Sequence, residues 1–156
     1  MKKLKIVFIV LLFFICSCSE TKKENNNDKK MIEKVINSSI GWAKNKDFTL
    51  LYSIIANDSD YLEVDPGSGL TKGFKEFKKN ESFWGSPDFK AIRYDIRDLT
   101  INISEKGDAA WFYGILDDVN EWKGKPACWM NTRWTGVLEK RNDKWIMVQM
   151  HFSFAQ

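Results

Sequence analysis

Apolar and polar positions fall into three regimes along the chain. Ile6 to Ile15 is an unbroken run of ten apolar residues. Ser19 to Lys30 reads SETKKENNNDKK and holds no aromatic or aliphatic residue. From Met31 onward the two classes alternate with regular periods. Ile32, Val35, Ile36, Ser39, Ile40 and Ala43 recur at three- and four-residue steps, the pattern of an amphipathic helix. Asp47 is placed to cap a second helix carrying Phe48, Leu51, Tyr52 and Ile55 on one face. After a polar break at Asn57–Asp60, Tyr61–Val64 reads as a short strand and Asp65–Gly69 as a turn. Thr71 is expected to cap a third helix with Phe74, Phe77 and Trp84, ended by Gly85-Ser86-Pro87.

The second half changes to period two. Ile92, Tyr94 and Ile96 alternate with charged residues, and the apolar set then moves to Leu99, Ile101 and Ile103. One inserted residue flips every later side chain to the other face, so a bulge or sharp bend is predicted near Arg97 and Asp98. Glu105–Asp108 is a hairpin turn. Ala109–Val119, Ala127–Glu139 and Trp145–Phe154 follow as long strands, the last two joined by Arg141–Asp143. Helices followed by an antiparallel meander define an α+β domain.

The N-terminal regimes set the destination. Lys2, Lys3 and Lys5 precede an apolar run that falls short of the ~20 residues needed to span a bilayer, which fits the h-region of a signal peptide. Ile15-Cys16-Ser17-Cys18 resembles the bacterial lipobox, which implies cleavage after residue 17 and lipidation of Cys18. Residues 18–30 are then a lipidated, disordered tether, residues 31–156 the folded domain. Ser19 follows the lipidated position, so the expected location is the cell envelope, on the outer membrane rather than the inner one.

Charge now reads differently. The chain has 24 Lys+Arg against 21 Asp+Glu, a net +3. The excess equals the three lysines of the signal peptide, so the mature protein has no basic surplus and a nucleic-acid partner is not expected. Cysteine chemistry is sparse as well. With Cys16 removed and Cys18 acylated, Cys128 stands alone, so no intramolecular disulfide can form. It lies in the strand-like run from Ala127 and is expected to be a small buried hydrophobe. One histidine and one free cysteine argue against a zinc site. No phosphate or dinucleotide loop motif occurs, and no cofactor or metal is expected. All seven tryptophans lie in the folded domain.

The closing motif carries a resemblance. Arg133-x-Thr135-x-Val137-Leu138-x-Lys140, a turn, then Trp145-x-Met147-Val148-x-x-His151-x-Ser153 is similar to the final hairpin of the SnoaL-like branch of the nuclear transport factor 2-like superfamily. Asp108-Ala109-Ala110-Trp111 resembles the start of that family's third strand. The resemblance covers about residues 31–156. It implies a cystatin-like fold: three N-terminal helices on a curved, mostly antiparallel sheet of four to five strands around a conical pocket, often in a homodimer.

Site candidates follow from strand parity. Trp145, Met147, Gln149, His151 and Ser153 share one face of the last strand, and the mixed chemistry of that set suits a pocket wall. Pairing Lys140 with Lys144 places Arg133 opposite His151, and a matching register brings in Tyr113. The expected pocket is lined by Trp84, Trp111, Tyr113, Trp129, Arg133, Gln149, His151 and Ser153. Asp117, Asp118 and Glu121 read as a solvated rim. Binding of an unidentified small, partly apolar molecule is the leading expectation. The alternatives are an isomerase, cyclase or hydrolase with His151 as general base and Arg133 as its partner, and a protein-interaction module of the envelope.

Overall fold

In the computed structural model, which describes residues 26–154, the first helix covers residues 26–41 (α1). Ile32, Ile36 and Ser39 are buried along it at the predicted steps, and Asp28 extends the buried stripe one turn earlier. The helix therefore takes in residues 26–30, assigned above to the tether. Charge holds this end: Asp28 accepts hydrogen bonds from Lys140 Nζ (3.1 Å) and Trp145 Nε1 (2.9 Å), which tie α1 to the last two strands. The expected signal peptide, the rest of the expected tether and Cys18 lie outside the described residues.

Helix α2 (Phe48–Ile54) begins as expected, with the Asp47 carboxylate accepting the Leu50 N–H at 2.9 Å. The third helix is segmented into α3 (Phe74–Phe77), a 3-10 turn (Lys78–Asn80) and α4 (Glu81–Gly85). Thr71 does not cap it. That residue lies in a short strand, β2 (Leu70–Lys72), which forms a hairpin with β1 (Leu62–Val64). Gly73 turns the corner at φ 77°, where other residues are strained, and its N–H donates to the Tyr61 carbonyl at 2.7 Å. Three residues of β2 are too few to show a period, so the turn composition around them masked the strand.

The remaining strands are β3 (Phe89–Ile103), β4 (Ala109–Trp122), β5 (Lys125–Pro126), β6 (Trp129–Arg141) and β7 (Lys144–Phe154). Their order in the sheet is β2-β1-β7-β6-β4-β3, with β5 paired to β4. All neighbours are antiparallel except β1, which runs parallel to β7. The predicted bend in β3 is present: the register shifts between Arg97 and Thr100, and Asp98 has φ 54°. A second irregularity lies in β6, where Asn131 (φ 52°) interrupts pairing with β4. The Asp117 carboxylate secures it, accepting the Asn131 N–H at 2.6 Å and the Arg97 guanidinium at 3.1 Å. Bulges of this kind increase local twist and bend the sheet over the helices.

The β6–β7 hairpin corrects the expected register. Its turn has two residues, Asn142 and Asp143, both at positive φ (50° and 61°), so Arg141 opposes Lys144. Further along, Leu138 pairs with Met147 but Val137 pairs with Gln149, leaving Val148 as an extra residue. At that point the chain leaving α2 joins the sheet edge: Ile55 bridges to Met147, and the Ala56 N–H donates to the Met147 carbonyl at 2.8 Å. The extra residue reverses parity. Trp145 and Met147 are buried together with Met150 and Phe152, while Gln149, His151 and Ser153 turn to the outer face. Behind the inner face, Trp134 is fully buried, edge-on to Phe112 (4.8 Å) and stacked on Phe152 (5.6 Å). Gly136 has to be glycine here, because the Phe112 ring occupies the place a Cβ would take.

Candidate ligand cavity

The inner face and the helices enclose a cavity of about 500 Å³. Each element supplies part of the wall. The end of α1 brings Ser39 and Ile40, and the turn after it brings Trp42. Trp84 comes from α4, Trp129 from β6, and Met150 and Phe152 from β7. The rings brace one another: Trp84 lies 5.4 Å from Trp42 and 5.0 Å from Phe77, and Trp129 lies 5.3 Å from Phe152. Exposed Phe83, Pro126, Ala127 and Cys128 mark the mouth. Cys128 is thus not a buried strand residue. It lies in the connector between β5 and β6, where Pro126 and the short β5 end the regular pairing, and its thiol approaches the Asn120 carbonyl at 3.5 Å.

Two carboxyl groups enter the cavity, one from β1 and one from β4. Glu63 lies on β1, which places Tyr61, Glu63 and Asp65 on one face by alternation. Glu63 is buried and accepts the Tyr61 hydroxyl at 2.6 Å. Burial pushes its carboxyl up to about 7; the Tyr61 hydrogen bond opposes this and the charge of Asp65 adds to it. Asp118 comes from β4. Burial also raises its carboxyl above the ordinary value, against a 2.8 Å hydrogen bond from the Asn120 amide. That bond fixes the amide's orientation, and the Asn120 side-chain oxygen, Oδ1, is left buried with no partner among the described residues.

Of the residues expected to line the pocket, Trp84 and Trp129 do so. Trp111, Tyr113, Arg133, Gln149, His151 and Ser153 do not; they stand on the outer face of the sheet. Tyr113, Arg133 and His151 do share that face, but Tyr113 and His151 are both paired with Thr135, and Arg133 is paired with Ile115 and Ser153. The cause is the extra residue at Val148 together with the two-residue turn. Both shift β7 against β6, and the first turns the polar set away from the helices. Asp117 and Asp118, read together as a rim, divide between the faces: Asp117 clamps the β6 bulge outside and Asp118 enters the cavity.

Glu63 and Asn120 escaped the sequence reading. Tyr61-Leu62-Glu63-Val64-Asp65 alternates, but the alternation by itself points to Leu62 and Val64 as the buried pair, whereas in the fold Tyr61 and Glu63 are buried. A second depression, about 570 Å³, lies between the β3–β4 and β6–β7 turns beside Asp28, Asp108 and Lys140. Its walls are mainly charged turn residues, without the aromatic surface of the first.

A curved, open sheet over helices with a cavity between them is the architecture of nuclear transport factor 2-like proteins. Solved structures of this class superpose closely. A candidate scytalone dehydratase from Novosphingobium aromaticivorans has a TM-score of 0.73 at 9% identity, covering 86% of this chain and 89% of that one. A candidate dehydratase of the nuclear transport factor 2-like family from Streptomyces avermitilis has a TM-score of 0.69 at 16% identity, covering 85% and 99%. A nuclear transport factor 2-like protein from Cytophaga hutchinsonii has a TM-score of 0.66 at 12% identity, covering 81% and 98%. Within the class, the SnoaL-like domain family matches residues 32–156, and the chain belongs to that family. No curated protein matches the sequence.

Proposed function

We propose that the protein is a lipid-anchored envelope lipoprotein whose SnoaL-like domain binds a small, largely apolar molecule. The observation that carries the binding reading is the cavity: about 500 Å³, with Trp84 and Trp129 in its wall and not plugging it. Its volume is within the ~300–1,000 Å³ usual for small-molecule sites. His151 and Arg133 stand outside it, which favours binding over catalysis by that pair. Native mass spectrometry of the purified protein tests the reading. An added mass that disappears in Trp129→Ala supports it; a ligand-free spectrum and no uptake of small apolar probes overturn it.

The anchor rests on the lysine-led apolar run and the lipobox-like Ile15–Cys18, and outer-membrane placement on Ser19. Metabolic labelling with an alkyne fatty acid checks it: label that survives Cys18→Ala sinks the assignment. The outer face, where Trp111 and Tyr113 are exposed, is where two copies would pair in the homodimer that the family resemblance implies. Arg133, Gln149 and His151 interrupt its apolar surface, which weighs against a broad docking face for other proteins.

A second reading is supported by Glu63. A carboxyl near 7 in an apolar cavity is suited to exchange a proton with a bound molecule at neutral pH, and two structural neighbours are candidate dehydratases. In that enzyme Glu63 would be the acid–base group and Tyr61 its positioning partner. Glu63→Gln would retain the ligand and abolish its conversion; conversion by the variant would exclude the reading.

A further inference from the structure

We infer that the cavity selects an organic cation, an amine or quaternary ammonium group carried on an apolar body. This rests on the binding reading above and specifies the chemistry of the ligand. Among the described residues that line the cavity, the only charged side chains are Glu63 and Asp118, both acidic. Lys46, which reaches the end of α4, spends its ammonium on the Ser86 and Gly85 carbonyls. The carboxyls therefore have no basic counterpart in the wall.

Hydrogen bonding is biased in the same direction. Ser39 donates its hydroxyl to the Ile36 carbonyl (2.8 Å) and Trp42 its indole N–H to the Ser39 carbonyl (3.1 Å). The Asn120 amide N–H is engaged by Asp118, and Asn120, more than nine-tenths buried, retains an acceptor without a donor. Three of the wall's polar donors are thus already engaged, while the Asn120 side-chain oxygen and the two carboxyl groups remain as acceptors. Between them lie the faces and edges of Trp42, Trp84, Trp129, Phe77 and Phe152. Aromatic faces attract cations through their quadrupole, and desolvated acidic groups oppose a second anion. A carboxylate or phosphate would add negative charge beside two carboxyls whose ionised forms burial already disfavours. A neutral ligand brings no opposite charge to either carboxyl, each of which has one neutral hydrogen-bond donor. A cation is attracted to either group in its ionised form.

A proton linkage follows. Glu63 faces Tyr61 and Asp65, the residues that flank β1. Its pairing neighbours, Thr71 on β2 and Met150 on β7, bring no charge, and Asp118 is the other charged group of the cavity. A cation binds the ionised form best. With the carboxyl at about 7, ionisation rises from about one-tenth at pH 6 to about nine-tenths at pH 8, which predicts roughly tenfold tighter binding at pH 8.

The test uses three probes of similar shape with the purified full-length chain: benzyltrimethylammonium, its neutral isostere neopentylbenzene, and the anion benzylsulfonate. Tryptophan fluorescence reports binding. The cation is expected to bind at least about tenfold tighter than the isostere, and the anion weakest. Glu63→Gln is expected to remove the pH dependence, and Asp118→Asn to weaken the cation alone; thermal melts establish that each variant is folded. Equal or tighter binding of the isostere overturns the cation inference and leaves cavity binding intact. Binding of none of the three at either pH overturns both. The wild-type comparison decides the matter even where a variant fails to fold.

Discussion

The two faces of one sheet differ more than the two ends of the chain. On the inner face, Phe112, Trp134, Met147 and Phe152 are buried beneath helices, and the polar groups there are few and confined. On the outer face, Trp111 and Tyr113 stand beside Arg133, Gln149 and His151 with half or nearly half of the aromatic surfaces open to water. The outer residues carry the more versatile chemistry, including the only histidine. The inner ones carry the environment. A buried carboxyl in an aromatic chamber has a perturbed proton affinity, whereas an imidazole on an open sheet is solvated. Location, not residue type, decides which group becomes functionally interesting.

The comparison can be broken most severely at tryptophan. Trp134→Ala removes a fully buried ring and is expected to cost about 3–5 kcal/mol, whereas Trp111→Ala on the outer face of the same sheet should cost less than about 1 kcal/mol. Urea unfolding of both variants measures the contrast, and equal losses would mean that the outer face is covered in solution.

Next is the pH dependence of Glu63. Its folded-state carboxyl is raised from 4.5 to about 7, so the folded protein holds the proton more tightly than the unfolded chain. The stability this contributes is fully present below pH 4.5 and is lost as pH rises through 7, on the order of 3 kcal/mol in all. Glu63→Gln removes the titration. Relative to wild type, the variant should therefore gain stability between pH 5 and pH 8 in paired thermal melts. A difference that does not change with pH would show that Glu63 is not held in a dry environment.

Asp117 and Asp118 sharpen the contrast within one dipeptide. Asp117→Ala frees the Asn131 N–H and Arg97, and should cost about 1–2 kcal/mol while leaving cavity binding unchanged. Asp118→Asn should preserve stability and alter ligand affinity. Reversal of the two phenotypes would exchange their assigned faces. The smallest effect is expected for His151→Ala: within about 0.5 kcal/mol of wild type and without effect on the cavity. A large loss of ligand binding in that variant would return the histidine to the site.

Much of the architecture was legible because it repeats. The 3.6-residue period of Ile32, Ile36 and Ser39, the Asp47 cap and the parity change near Asp98 each follow from local chemistry, and each is present in the fold. The site was only half legible. Trp84 and Trp129 lie where expected, but the polar row built on β7 slid by two residues against β6 and turned to the outer face. Val148 is extra because Met147 gives its carbonyl to Ala56, a residue some ninety positions earlier, and no local pattern in β7 records that demand.

What the amino-acid sequence determined by itself was therefore the class of fold, the positions of most elements and the aromatic wealth of the domain. These depend on interactions within a turn or along a strand. Tertiary structure alone decided which face of each strand became the interior, and with it that Glu63 and Asp118, rather than His151 and Arg133, enter the cavity. A strand's alternation specifies two faces but not which is covered. That choice belongs to bulges and to the partner across the sheet, where a single inserted residue outweighs the whole pattern.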